Sequence, residues 1–362
     1  ILFEESLSIA NTANGQDWII SGVNDLLVDR DGNELSIVQW GALFDGHGLK
    51  GKSFGIPELI RKDAKPMLEN IVKDISKEYM LIDQSERSDY VSKKIQCFVD
   101  ELNDKSESLI KENVKYLLGN DVDRTGSTMI IVIVTEDRQS HIGWLGDSTC
   151  CIFKEEKIFW RNKLHKADIP KPGESETSMV DRYQSGGYGC SKFNDFTDKR
   201  RVEMRYSKDR GYYSEYYDTE YDGYCIWKNV FGSRLAFTKS LGHVLLRKAD
   251  PDFSKISFET IVLDNDCSIM MCSDGVSDII PNVDCLFSKT ALEIKDFAIS
   301  NWSKEVDVFY KEKKIGENAW SFWDSSISDY KGRDDVSVIV FSPFEDRKIK
   351  RRKSNTITED DV

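Results

Sequence analysis

No apolar stretch in the 362-residue chain is long enough to cross a bilayer. The longest wholly apolar run, Met129 to Val134, falls far short of the roughly 20 residues a spanning helix needs. The opening Ile-Leu-Phe-Glu-Glu-Ser lacks the basic end and long apolar core of a secretory signal, so none is expected from these residues. The 8 cysteines form no CxxC pair, and a bridge between the neighbours Cys150 and Cys151 would be strained on a strand. They read as reduced, mostly buried thiols of a cytosolic or nuclear protein. With only 4 histidines (His47, His141, His165, His243) and no Cys/His cluster, a structural zinc site is not expected. A basic surplus is also missing: 50 Lys+Arg face 63 Asp+Glu, a net charge of −13, which argues against a nucleic-acid binder with a basic surface. No repeat of 20–50 residues is visible.

What is present suffices for a large core: 40% of residues are hydrophobic and 11% aromatic. Leu35 to Phe44 reads as a buried strand ending in the tight turn Asp45-Gly46-His47-Gly48. Helical spacing runs through Leu59, Ile60, Met67, Leu68, Ile71, Val72 and Ile75, with Pro66 expected to kink or split the helix. It resumes through Val91, Ile95, Phe98, Val99, Leu102, Leu109, Ile110 and Leu117, with Gly119 as a stop, so a long helical hairpin is expected. Strands follow at Ser127–Val134 and Ser140–Phe153, turning at Asp137-Arg138-Gln139. Further strands are expected at Phe258–Val262, Cys267–Cys272 and Val336–Phe341, with a helix from Thr290 to Trp302.

Residues 165–232 differ, with Pro170, Pro172, Gly186, Gly187, many charges and a tyrosine cluster (Tyr212, Tyr213, Tyr216, Tyr217, Tyr221, Tyr224). They read as an irregular flap or insertion packed on its own aromatics. The polar tail 346–362, basic from Arg347 to Lys353 and then acidic, reads as a disordered segment after a domain covering 1–345. Strands and helices are segregated, which favours α+β layers over a doubly wound parallel sheet.

One pattern recurs: an aspartate beside glycine at the edge of an apolar strand. It occurs as Asp45-Gly46, Gly146-Asp147 and Asp274-Gly275, with Asp334 entering the last strand. A single such residue is an ordinary turn former. Several converging on one sheet edge repel each other and need cations to coexist. Oxygen donors without Cys or His pairs suit Mg²⁺ or Mn²⁺, and two such ions could bind a phosphate and ionise a water.

The motifs, in order, are Asn14-Gly15-Gln16-Asp17, Phe44-Asp45-Gly46-His47-Gly48, Thr125-Gly126-Ser127-Thr128, Leu145-Gly146-Asp147-Ser148, Leu235 to Gly242, Cys272 to Asp278 and Arg333 to Ser337. Together they make residues 10–342 resemble the metal-dependent protein serine/threonine phosphatases of the protein phosphatase 2C family. The resemblance implies a four-layer α/β/β/α sandwich of two antiparallel sheets flanked by helices. It also implies hydrolysis of phosphoserine and phosphothreonine on proteins by a metal-activated water, without a covalent phosphoenzyme. At matching positions, Asp45 would bridge two metal ions, the Gly46 carbonyl would bind one, and Asp274 and Asp334 would complete the core. Asp147 and Asp278 match a third, weaker ion, Asp17 a support for bound water, and His47 the general acid for the leaving alkoxide. The expected partner is a phosphoprotein substrate, with no nucleic acid and no membrane, and the enzyme is expected to be a monomer.

The departures are Thr12 where the family often has a phosphate-holding Arg, Gln16 for Glu, His243 for the Asp after Leu-Gly, Ser277 for Trp and Asp335 for Asn. Loss of that Arg is expected to weaken phosphate binding unless another cation, such as Lys50 or Lys52, takes its place. Thr12 and Gln16 favour the rival reading, a catalytically silent relative that binds a phosphoprotein; the intact aspartates oppose it. A two-metal nuclease is a second rival, opposed by the acidic charge.

Overall fold

The computed structural model describes residues 7–11, 17–23, 36–47, 56–113, 125–165, 188–192, 203–207, 211–215, 224–228, 233–235, 239–244, 247, 251–277, 280, 283–301 and 335–343. The chain opens with strands β1 (Leu7–Asn11), β2 (Trp18–Val23), β3 (Ile37–Phe44) and the short β4 (Gly46–His47). Helices α1 (Ile56–Leu59), α2 (Lys65–Glu78) and α3 (Arg87–Asn113) follow. Next come β5 (Gly126–Ser127), β6 (Met129–Thr135), β7 (Gln139–Leu145), β8 (Thr149–Lys154) and β9 (Lys157–Arg161). The insertion holds β10 (Tyr188–Lys192), β11 (Glu203–Ser207), β12 (Gly211–Glu215) and β13 (Tyr224–Lys228), and β14 (Ser233–Leu235) follows it. The chain returns through β15 (Leu241–Gly242), β16 (Ser257–Val262), β17 (Ser268–Cys272), a helix α4 over 291–301, and β18 (Ser337–Phe341).

Two five-stranded antiparallel sheets form the centre, ordered β16-β7-β6-β3-β2 and β1-β18-β17-β8-β9. Strand alternation sorts side chains into layers. On β6, Met129, Ile131 and Ile133 join the helix-side core with Val72, Ile75, Val91, Ile95 and Phe98. Ile130, Val132 and Val134 point the other way, into the space between the sheets, where they meet Ile269, Met271 and Ile339. On the far side of the second sheet, Met270 and Cys272 pack on Ala291, Ile294 and Ala298. The central strands β3 and β6 are therefore buried along their whole length, and edge strand β9 alternates exposed and half-buried residues.

The expected α+β sandwich is thus present. The helix break predicted at Pro66 falls earlier, as a π-helical turn over Ile60–Ala64, and Pro66 sits in the first turn of α2 directly after it. The insertion is less irregular than its composition suggests. Its described residues form β10 and β13, which join β14 in a three-stranded sheet, and the hairpin β11-β12, in keeping with the β propensity of its tyrosines. The expected disordered tail lies outside the described residues. No described helix is long and apolar enough to cross a membrane.

Candidate active site

Topology brings the aspartate-bearing strand ends to one edge of the sandwich. Asp45 follows β3, and the Trp18–Phe44 pair at the adjoining ends of β2 and β3 places Asp17 one step beyond, opposite it. The turn Gly146-Asp147-Ser148 carries the chain from β7 in the first sheet to β8 in the second. In that second sheet Thr149 pairs with Cys272, so Asp147 and Asp274 leave neighbouring strands at the same edge. Asp335 joins them from the start of β18, through the Ser273 hydroxyl donating to its carbonyl at 3.2 Å. Asp17, Asp45, Asp147 and Asp335 are all buried.

Thr128 is the joint between the two halves. Its backbone N–H donates to the Asp45 carbonyl at 2.9 Å, and its hydroxyl accepts the Asp45 N–H at 3.3 Å. The same hydroxyl meets the Ser148 hydroxyl at 2.6 Å. The strand residue Thr128 thus clamps the Asp45 turn to the Asp147 turn. Gly146 has φ +91°, and a Cβ there would fall 2.6 Å from Thr128 Cγ2, so only glycine passes this joint freely.

Beside it lies a small sheet, β15-β5-β4, which pairs Gly46 and Leu241 with Ser127, and His47 and Gly242 with Gly126. This sheet brings His243 against His47. Their Nε2 atoms are 2.6 Å apart, and the rings lie within 14° of parallel with centroids 4.9 Å apart. The gap and two ring radii account for the whole centroid distance, so the imidazoles meet end to end in nearly one plane. The gap passes over Gly126, where a Cβ would stand 2.3 Å from His243 Nε2 and 2.5 Å from His47 Nε2. His243 itself holds a left-handed φ of 46° and is buried. Burial drives the His47 pKa well below its ordinary value, proximity to His243 adds to this, and a hydrogen bond to the Asp45 carbonyl opposes it.

Of the residues expected at the site, Asp17, Asp45, Gly46, His47, Asp147 and Asp274 come to this one edge, while Asp278, Asp334, Thr12, Gln16, Lys50 and Lys52 lie outside the described residues. Among the described residues, no three His, Cys, Asp or Glu side chains are grouped closely enough to hold one ion. The donor chemistry of the edge fits a hard divalent cation, being oxygen from carboxylates and a backbone carbonyl. His243 was missed as a site residue, although its place after Leu241-Gly242 was a signal.

Neither protein-family models nor curated protein sequences match the chain. Solved structures do. A serine-threonine phosphatase 2C from Toxoplasma gondii aligns with TM-score 0.50 at 12% identity, covering 92% of this chain and 93% of that one. The fold is that of a protein phosphatase 2C-like domain. A C. elegans sex-determining protein aligns with TM-score 0.49 at 15% identity, over 94% of this chain but only 65% of that one. The serine/threonine phosphatase Stp1 of Staphylococcus aureus aligns with TM-score 0.45 at 13% identity, over 94% and 95% of the two chains. The phosphatase 2C-like fold explains why the aspartates stand at strand ends: two sheets packed face to face share an edge on which loops from both converge.

Proposed function

We propose that this chain hydrolyses phosphoserine and phosphothreonine esters on proteins with the help of Mg²⁺ or Mn²⁺. The observation that carries the reading is the meeting of the Asp45, Asp147 and Asp274 turns, from both sheets, at the edge that also bears His47. Asp45, the Gly46 carbonyl, Asp274 and Asp334 would hold two ions, with Asp147 and Asp278 offering donors to a third. When bound, such ions supply positive charge to the phosphate and acidity to the attacking water. Asp17, opposite Asp45, would orient that water.

His47 then has one task, to protonate the departing serine or threonine oxygen, a poor leaving group as an alkoxide, from the Nε2 that otherwise faces His243. Burial makes its imidazolium a strong acid that is sparsely populated at neutral pH. A phosphate dianion beside it would favour the charged form. The reduced thiols Cys150, Cys151, Cys267 and Cys272 suit the proposed cytosolic or nuclear setting. We also take the chain to act as a monomer.

The test is turnover of a phosphoserine peptide across a Mn²⁺ and Mg²⁺ series, with Asp274→Ala as control. Metal-dependent phosphate release that falls at least about 100-fold in the variant is expected. Absence of turnover at every metal level, with the phosphopeptide still bound, would favour the silent relative. Cleavage of nucleic acid abolished by the same substitution would overturn the phosphatase reading.

A further inference from the structure

The Gly146-Asp147-Ser148 turn leaves one sheet and enters another, so no strand ladder takes up its first peptide groups. Residues 162–165, just after β9, take them up instead. The Asn162 side chain accepts the Cys150 N–H at 2.7 Å and donates to the Ser148 carbonyl at 3.1 Å. The Lys163 carbonyl accepts the Trp144 indole N–H at 2.8 Å. His165 claims both backbone groups of Gly146: its own N–H donates to the Gly146 carbonyl at 2.9 Å, and its Nδ1 accepts the Gly146 N–H at 3.1 Å.

We infer that His165 is a positioning residue for Asp147. A backbone N–H can only donate, so Nδ1 must carry a lone pair and the ring proton must sit on Nε2. There it donates to the Ser257 hydroxyl, 2.7 Å away, which fixes the tautomer. Protonation at Nδ1 would set two donors face to face. Burial, with Lys239 and Lys163 nearby, holds the His165 pKa down to about 3, so the neutral ring persists at working pH. The ring lies nearly parallel to the Trp144 indole, 13° off and 6.0 Å away. Gly146, at φ +91°, is a turn residue that Thr128 crowds from one side and His165 brackets from the other. The carboxylate of Asp147 is carried by the next peptide, so the bracket sets where it stands. That Asp147 meets a cation rests on the phosphatase reading; that His165 holds the turn does not.

The experiment uses the full chain with His165→Leu, His165→Asn and Ser257→Ala. Leucine fills similar space without an acceptor, whereas the asparagine Oδ1 replaces Nδ1 as acceptor. Mn²⁺ binding is followed by calorimetry, and hydrogen–deuterium exchange is followed in peptides covering 143–149. The expected result is affinity about 10-fold weaker for the most weakly held Mn²⁺ in His165→Leu, with faster exchange in those peptides, and near wild-type behaviour in His165→Asn. Ser257→Ala should fall between them, and it decides the matter if His165→Leu does not fold. Wild-type Mn²⁺ affinity and unchanged exchange in His165→Leu would overturn the inference. If the wild-type chain takes up no Mn²⁺, the phosphatase reading fails. The exchange comparison then decides the role of His165: faster exchange in His165→Leu upholds it and unchanged exchange overturns it.

Discussion

His141 sits at the other end of the same strand that leads to Asp147, and it gives a pH dependence that can be worked out in advance. It is fully buried on β7. Its Nε2 meets the Tyr79 hydroxyl at 3.0 Å and its Nδ1 the Thr260 hydroxyl at 2.9 Å. Tyr79 also reaches Asp137, which pairs with Arg87 at 3.0 Å. Burial lowers the His141 pKa from 6.5 to about 4, outweighing the opposing pull of Asp137. Above pH 6.5 the ring is neutral in both folded and unfolded chains, and its contribution to stability is fully held. Between 6.5 and 4 the unfolded chain binds a proton that the folded chain refuses, so stability falls as pH falls. The loss reaches about 2 kcal/mol by pH 5 and about 3 kcal/mol by pH 4, and it levels off a few tenths of a kcal/mol further down, once the folded ring is protonated too. His141→Phe abolishes the titration at the cost of two hydrogen bonds, about 1–2 kcal/mol at pH 7. Urea unfolding of both proteins at a series of pH values, with chelator present so that cation binding does not intrude, should give stability curves that approach each other and meet between about pH 6 and about pH 5. His165, unaltered in both, cancels from the difference. Parallel curves would refute the reasoning, because they would mean that the buried ring takes up its proton as readily as the unfolded one.

Two glycines give further tests. Gly146→Ala puts a side chain at φ +91° and against Thr128, and should lower unfolding free energy by about 2–3 kcal/mol in urea titration. Gly126→Ala presses a methyl against both Nε2 atoms and must displace a ring. It should lower kcat on a phosphoserine peptide by on the order of 100-fold, while p-nitrophenyl phosphate, whose leaving group needs no acid, is hydrolysed nearly as before.

Much of the fold was legible because its strongest signals are local. Met129 to Val134 has no polar interruption, and a strand covered on both faces is the economical home for such a run; the structure buries every residue of β6. The α2 and α3 faces were legible through Leu68, Val72 and Ile75 and through Val91, Ile95, Phe98 and Leu102, all of which are buried. β1 and β2 were not. Leu7–Asn11 and Trp18–Val23 are short and carry asparagine, serine or glycine, and their partners Phe341 to Ser337 and Phe44 to Gln39 are remote in sequence or set by register rather than by pattern. The insertion was misjudged for the opposite reason: proline, glycine and charge advertised a loop, and the pairing of Tyr188 with Lys228 is a long-range fact.

The site divides along the same line. Each aspartate was visible beside its glycine, since a turn at a strand end is written in neighbouring residues. What joins the turns was not, because Thr128 holds Asp45 through residues 83 apart in sequence and His47 meets His243 across 196. The His pair shows why a residue-by-residue reading stops there. Histidine at 243 looked like a lost carboxylate, yet it is the left-handed backbone at 243, the bare Cα of Gly126 and the β15-β5-β4 pairing that together bring two ring nitrogens to 2.6 Å. Remove any of the three and the rings part, which is why substituting Gly126, a residue with no chemistry of its own, is the sharpest probe of the histidine pair.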